Sequence, residues 1–553
     1  MEYIRVCNLR CLADTQRVAI KPITLLVGAN SSGKSSFLRV FPLLRQSTET
    51  RTLSGLLLNE GDVNFGFFPE VLHRNAEPAE LKLEFGFNLK SGFHQGASVN
   101  RFLAAPLPIK CELIYGKRNK DLFYPYIQTV RLTLDEKYAC DIIEITAKED
   151  GTITKFKVNE YSIEDNLSLF RLSIRGGLVP SIVGELNSKN SGNSPISDDG
   201  IEVGSFKQKL IAATYDRFHG LASDDTRWAT LTSIRIGSPE KMLEMAKTAN
   251  SVSSWTQNVK KWTIDTPQFL VMRNLLLANT TIDLLAAVNR QVSQFAWSVN
   301  YFAPVRASVQ RDYLNRDVQV RNVDPSGLNV AMVLASLGQH GQVKFREWMR
   351  NHFGFEVFAQ GVSDGARVAI RMKEEGSGAE FNLADMGFGF SQMLPFLVQL
   401  WNMIENETGK NSRLRRVPFP PELLAIPPSF IVAIEQPELH LHPALQARLM
   451  DLFIKMIRLS REKNIPVSFI LETHSPTIIE RIGQSIEANC LDSNDVQVLL
   501  FEKDCTGVDP NTATMRPALF DSTGVLSDWP FGFLSAPPLP ISPSSSMSTL
   551  EQR

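Results

Sequence analysis

The sequence predicts an α/β fold with a mixed sheet and a large inserted region, and three observations carry that expectation. An apolar run, Ile23-Thr24-Leu25-Leu26-Val27, leads into Gly28-Ala29-Asn30-Ser31-Ser32-Gly33-Lys34-Ser35, which fits G-x4-G-K-[ST] at every fixed position. Helix, strand, helix and strand alternate from 391 to 502, the rhythm of a parallel-sheet unit. Between these two halves the pattern changes from alternating to helical, as expected of an insert.

Taken in order, residues 2–9 and 18–27 read as two strands from their β-branched and apolar residues, and a helix is expected from Lys34. Residues 51–90 hold Gly-rich turns and the alternating stretch Leu81-Lys82-Leu83-Glu84-Phe85. Ile127, Val130 and Leu132, then Ile142, Ile143 and Ile145, predict further strands. The polar segment 187–204 has little to bury and is expected to be a mobile loop. From about 240 to 300 the pattern is helical, with Thr266 and Pro267 suited to the N-cap and first turn ahead of Phe269, Val271, Leu275 and Leu276. No heptad pattern is sustained, which disfavours long coiled-coil arms. The last 18 residues, from Ala536, hold five serines and four prolines and are expected to form a flexible tail.

The 553 residues, 61.9 kDa, allow two to four structural units. With 58 Lys plus Arg against 59 Asp plus Glu the formal charge is −1, so nucleic-acid contact would need a local basic patch. Groups at Arg306, Arg311, Arg316 and Arg321, and at Lys410, Arg413, Arg415 and Arg416, suit phosphate backbones, although solvated loops explain them as simply. Cysteines 7, 11, 111, 140, 490 and 505 form no Cys-x-x-Cys pair and read as free thiols. Neither a leader nor a membrane-length apolar run is apparent, so a cytoplasmic chain with no membrane partner is expected.

Four motifs carry chemistry. In the glycine loop, backbone N–H groups can wrap phosphates, the following helix turns its positive dipole end toward them, Lys34 reaches the terminal phosphates and Ser35 can ligate Mg²⁺. Phe430-Ile431-Val432-Ala433-Ile434 delivers Glu435-Gln436-Pro437-Glu438 and then Leu439-His440-Leu441-His442-Pro443. In a P-loop enzyme a carboxylate placed so holds the Mg²⁺ shell and the next acidic position polarises the attacking water. The two histidines suit a metal or, more simply, a helix start. Val467-Ser468-Phe469-Ile470-Leu471 ends in Glu472-Thr473-His474-Ser475-Pro476, which places His474 to sense a terminal phosphate. Asp385-Met386-Gly387-Phe388-Gly389-Phe390-Ser391-Gln392 is a Gly-rich turn before an apolar helix from Met393 to Trp401, fit equally for anion contact or for packing.

In this order the four motifs resemble the ABC-type P-loop ATPase head shared by SMC-like and overcoming-lysogenization-defect (OLD) ATPases. The resemblance divides the chain into head residues 1–100 and 360–535, an inserted lobe 101–359, β-rich and then helical, and a tail 536–553. Ile434 to Pro443, and Trp-Pro-x-Gly-Phe at 529 to 533, resemble a subgroup, the PtuA ATPases of Septu and retron-linked antiphage systems. The resemblance implies ATP and Mg²⁺ as cofactors, with Ser35 and Glu435 on the metal. Gly28, Asn30, Ser31, Ser32, Gly33, Lys34, Ser35 and Ser36 would line the phosphates. Gly387, Gly389 and Ser391 would touch the nucleotide of a second head, giving a homo-oligomer. Glu435, Gln436, Glu438 and His474 would take the catalytic positions. Gln436 stands where the family carries its catalytic glutamate, and an amide is no general base near neutral pH, so slow turnover is implied, with Glu438 as a substitute.

The leading functional expectation is an ATP-binding subunit of an antiphage complex, with a companion HNH-type, PtuB-like nuclease doing the cutting. A retron reverse transcriptase with its RNA/DNA hybrid, and nucleic acid itself, are further implied partners. The rivals are an OLD-like nuclease and a DNA-repair or SMC-like ATPase. The first needs an Asp-x-Asp pair, and none occurs in the 79 residues after His474. The second usually shows long heptads or zinc-hook cysteines.

Overall fold

The computed structural model describes residues 1–50, 52, 54–89, 103–104, 106–118, 123–134, 141–164, 167–174, 176–184, 204–249, 253–304, 310–314, 320, 323–362, 366–374, 379–386, 388–408, 429–503, 512–527 and 529. Of the loop expected at 187–204 all but Gly204, which begins the helix Gly204–Thr214, lies outside these residues, as do the tail from 536, Gly387, Cys140, Cys505 and all the basic-group residues except Arg311. Arg311 is described and is paired with Asp385.

The N-terminal strands are β1 (Tyr3–Leu9), β2 (Leu12–Asp14), β3 (Val18–Ala19) and β4 (Ile23–Gly28). The single strand expected over 18–27 is therefore two, interrupted around Pro22, whose ring fixes φ and removes a donor. There follow β5 (Glu80–Leu89), β6 (Leu107–Lys117), β7 (Pro125–Leu134), β8 (Asp141–Ala147), β9 (Ile153–Val158), β10 (Tyr161–Ile163), β11 (Phe170–Ser173) and β12 (Ser181–Gly184). After a helical stretch come β13 (Val299–Phe302), β14 (Tyr313–Leu314), β15 (Phe355–Gly361), β16 (Arg367–Glu374) and β17 (Glu380–Asn382). The last are β18 (Phe430–Glu435), β19 (Val467–Glu472), β20 (Val496–Lys503) and β21 (Ala513–Ala518).

Fifteen of these strands form one mixed sheet in the order β10-β9-β8-β7-β6-β5-β1-β2-β21-β20-β4-β19-β18-β13, with β3 on β1. The segment β20-β4-β19-β18-β13 is wholly parallel. Its strands are near-continuous apolar runs because helices cover both faces. Period-two alternation sends Leu26, Ala433, Ile470 and Phe501 into one core, with the helices Val40–Glu49 and Pro267–Trp297. Leu25, Val27, Val432, Ile434 and Leu471 point into the other, with the helices Phe388–Thr408, Pro443–Glu462 and Pro476–Glu487. From β5 to β10 the sheet is an antiparallel meander, and β7 and β8 alternate buried with more exposed positions.

The expected boundary at residue 100 falls at no edge of this sheet. β6 to β10 lie in the region expected as an inserted lobe, yet they extend the same sheet as β1 and β5. β13 lies there too and pairs in parallel with β18, so it is part of the core. The helical stretch is as expected in kind. Its 31-residue helix Pro267–Trp297 is long and apolar enough to cross a membrane, but 56% of its apolar window is buried inside the protein, as in a core helix. Thr266 stands at its N-cap position without a capping side-chain bond. The helix pattern near 255 is anchored by Trp255, which stacks on Phe218 at 4.7 Å and donates its indole N–H to the Ala246 carbonyl at 2.8 Å.

Candidate nucleotide site

The candidate site forms at the carboxyl ends of β4, β18 and β19, the edge at which open α/β sheets bind ligands. β4 ends at Gly28 with φ of +148°, and a Cβ there would lie 2.1 Å from the Phe501 carbonyl oxygen, so only glycine fits beside β20. Gly33, at φ +99°, passes Cys11 and Leu12 too closely for a Cβ, which would sit 2.9 Å from the nearest atom of each. Ser31 takes the left-handed conformation at φ 58°. Ala29, Asn30 and Ser31 are exposed at the tip, whereas Ser32, Gly33 and Lys34 are buried at the base. Ser32 Oγ donates to the Ala29 carbonyl at 2.8 Å, and the first helical bonds run from the Phe37 N–H to Gly33 and from the Arg39 N–H to Ser35.

Lys34 is 2% exposed and curls over the loop, its ammonium donating to the carbonyls of Ala29 at 2.6 Å and Gly28 at 3.1 Å. Burial pushes its pKa down, and the neighbouring carboxylates Glu472 and Glu438 pull it back up. His474 sits within the field of the same ammonium. Burial first, and then Lys34, lower its pKa, which favours the neutral imidazole.

Two acids end adjacent strands in register, Glu435 on β18 and Glu472 on β19, and β19 lies between β18 and the loop strand β4. Their environments differ. Glu435, 2% exposed, accepts Arg39 Nε at 2.6 Å and the Tyr301 hydroxyl at 2.7 Å on one oxygen, and Arg39 Nη2 at 2.8 Å on the other. The Glu435 carboxylate holds the Arg39 guanidinium firmly charged, and burial followed by the same carboxylate pushes the Tyr301 phenol well above its usual range. Glu472, 3% exposed, accepts the Ser35 hydroxyl at 2.8 Å on Oε1, and its buried Oε2 has no hydrogen-bond partner among the described residues. Burial raises its pKa and Glu435 adds to that rise.

Gln436 follows Glu435 in the left-handed region, at φ 44°, and its backbone N–H donates to the Glu472 carbonyl at 2.8 Å. A left-handed non-glycine residue is uncommon and clusters at functional sites. Glu438 accepts the His474 backbone N–H at 2.7 Å and so ties the acidic turn to the histidine turn. His442 caps the helix Pro443–Glu462 by accepting the Ala444 N–H at 3.3 Å on Nδ1, which is the helix-start reading of the histidine pair. The described residues contain no cluster of three His, Cys, Asp or Glu side chains fit to hold a metal.

Lys34, Ser35, Glu435, Gln436, Glu438 and His474 thus meet at one edge. The Gly-rich turn enters differently. The helix begins at Phe388, so Gly389 and Ser391 lie within its first turns and not in a loop before it. Three residues of the site escaped the sequence reading: Glu472, Arg39 and Tyr301. Glu472 carried the same signal as Glu435, an acid at the end of an apolar strand. Arg39 and Tyr301 carried none, because they act on a carboxylate remote in sequence.

Serine hydroxyl and carboxylate are hard oxygen donors, the set that Mg²⁺ takes alongside substrate phosphates, and the buried, unpartnered Glu472 Oε2 fits a nearby cation. A cavity of roughly 560 Å³ lined by Arg131, Asp141, Glu144, Lys155 and Arg273 opens instead at the β7–β9 end of the sheet. Its arginines and its two lysines, Lys155 and Lys157, are already paired with its carboxylates, Glu160 among them.

A protein-family profile described as "AAA ATPase domain" matches residues 1–176 and 326–479, more than half of the chain. No curated protein matches. Among solved structures the chain is similar to the SMC head domain from Thermotoga maritima, at 8% identity over 93% of this chain and 98% of that chain, with a TM-score of 0.30. It is similar to the recombination mediator protein RecF-ATPrS of the RecFOR pathway at 10% identity, over 93% and 97%, with a TM-score of 0.26. Likenesses this distant carry no argument about the site.

Proposed function

The chain belongs to the AAA ATPase domain family, and from that premise we propose that it binds ATP with Mg²⁺ at the Gly28–Ser35 loop and turns it over slowly. The observation that carries the reading is the convergence of Lys34, Ser35 and two in-register carboxylates on one sheet edge. Lys34 exchanges its two loop carbonyls for terminal phosphate oxygens, a charge-assisted contact. The loop N–H groups and the helix from Lys34 contribute partial positive charge. Ser35 with a strand-end carboxylate would hold Mg²⁺, which would supply positive charge to offset that of the phosphates. Gln436 orients a water without taking its proton, and His474 in its neutral form donates a ring N–H to the terminal phosphate.

At the finer level we propose an antiphage ATPase subunit that oligomerises through nucleotide held between heads and governs a separate HNH-type nuclease. The stretch Ile434 to Pro443, which resembles the PtuA subgroup, supports this. In the same proposal the signature residues Gly387, Gly389 and Ser391 are addressed to a second copy.

Three measurements test it. Replacing Gly389 with Trp is expected to weaken ATP-dependent association seen by light scattering, while nucleotide binding by a single head persists; identical association in both proteins, with and without ATP, contradicts the head-to-head reading. Gln436→Glu is expected to raise steady-state ATP hydrolysis by about 100-fold, the low end of what a general base contributes. The wild-type chain, rigorously purified, should leave DNA and RNA intact with Mg²⁺ present. Rapid wild-type turnover defeats the slow switch, and persistent nuclease activity defeats the division of labour.

A further inference from the structure

We infer that Glu472, at the end of β19, is the carboxylate that joins Ser35 on the nucleotide-bound Mg²⁺, and that Glu435 is held out of that role by Arg39 and Tyr301. The assignment rests on the ATP reading above and specifies its metal site. It departs from the expectation that Glu435 faces the metal.

The two carboxylates differ in what each would have to give up. Glu435 has both oxygens engaged, in a two-point pair with Arg39 and a bond from the Tyr301 hydroxyl. Paired N–H donors from a guanidinium are the strong, geometrically fixed kind of carboxylate contact, so ligation would break them. Glu472 has one bond, to the Ser35 hydroxyl, and its other oxygen is buried with no hydrogen-bond partner among the described residues. A buried carboxylate oxygen that no protein donor occupies can take a ligand without breaking a bond, whereas most buried polar atoms are already satisfied.

Position agrees with this accounting. β19 is hydrogen-bonded directly to the loop strand β4, with Glu472 opposite Leu26, whereas β18 is one strand further away. Distance agrees as well. Mg–O bonds of about 2.0–2.1 Å place neighbouring ligands of an octahedron roughly 2.9 Å apart. Ser35 Oγ and Glu472 Oε1 are 2.8 Å apart, the spacing of two adjacent ligands, so the pair can accept the ion with little movement. Glu435 then acts as a positioning residue, fixing Arg39 on the helical segment that follows the loop.

The test is equilibrium binding, not turnover. A fluorescent ATP analogue is titrated onto the full chain with Mg²⁺ and with chelator, for wild type, Glu472→Gln, Ser35→Ala, the double variant and Glu435→Gln, each checked for a native melting transition. In wild type Mg²⁺ is expected to tighten binding by on the order of tenfold or more, and Glu472→Gln should abolish most of that gain while changing metal-free affinity little. The double variant should lose no more than either single variant, because both remove the same ion. Should Glu472→Gln melt early, Glu472→Asp withdraws the carboxylate while keeping its charge and is expected to lose the Mg²⁺ gain in the same way. A full Mg²⁺ gain in a folded Glu472 variant, with loss in Glu435→Gln, overturns this assignment alone. A folded wild type that binds no nucleotide overturns the ATP reading and this assignment with it.

Discussion

Lys34→Ala is expected to lower affinity for ATP by at least about 100-fold, since one charge-assisted phosphate contact in a water-poor site accounts for roughly 3 kcal/mol. The reason lies in the loop geometry. Lys34 is buried at the base of the loop, so its charge acts through protein and not through bulk water. Among the described residues its ammonium donates to the Gly28 and Ala29 carbonyls. Removing it takes a desolvated cation out of the interior and leaves two carbonyls at a loop whose tip is open to water, so the fold should survive. Titration with a fluorescent ATP analogue, paired with a thermal melt, checks both halves. Unchanged affinity in a folded variant contradicts the phosphate-loop assignment.

Arg39→Ala is expected to lower folding stability by about 2 kcal/mol, between the exposed-pair and buried-pair ranges, because Arg39 is partly exposed while the Glu435 carboxylate it pairs with is buried. Glu435 is almost fully buried, and the variant takes from it the two-point guanidinium contact while leaving the Tyr301 hydroxyl bond. Arg39→Met with Glu435→Gln removes both charges, and this double variant should recover much of the loss. Chemical denaturation of the three proteins gives the comparison. If Arg39→Ala is as stable as wild type, the ion pair is not the anchor that the geometry describes.

What the sequence made legible was local. Gly28 to Ser35 is a contiguous pattern whose chemistry depends on neighbouring backbone, and β18 and β19 announce themselves as apolar runs because helices cover both their faces. What it hid depended on pairing. Ser35 meets Glu472 and not Glu435 because β19 is inserted between β4 and β18, and strand order is not written in any one strand. The Arg39–Glu435 and Tyr301–Glu435 contacts join positions 396 and 134 residues apart. The alternating strands near 127–145 were visible as strands, but nothing in them told that their meander would continue the ATPase sheet from β5. The Gly-rich segment at 385–392 reads as a turn from its glycines, yet the apolar residues around them extend the following helix back to Phe388.

Isothermal titration of the purified wild-type chain with ATP, in Mg²⁺ and again in chelator, tests the central claim most directly. Saturable binding of one nucleotide per chain is expected, tighter with Mg²⁺ than without. A folded, monodisperse chain that takes up no ATP at millimolar concentration, with or without the metal, would contradict it.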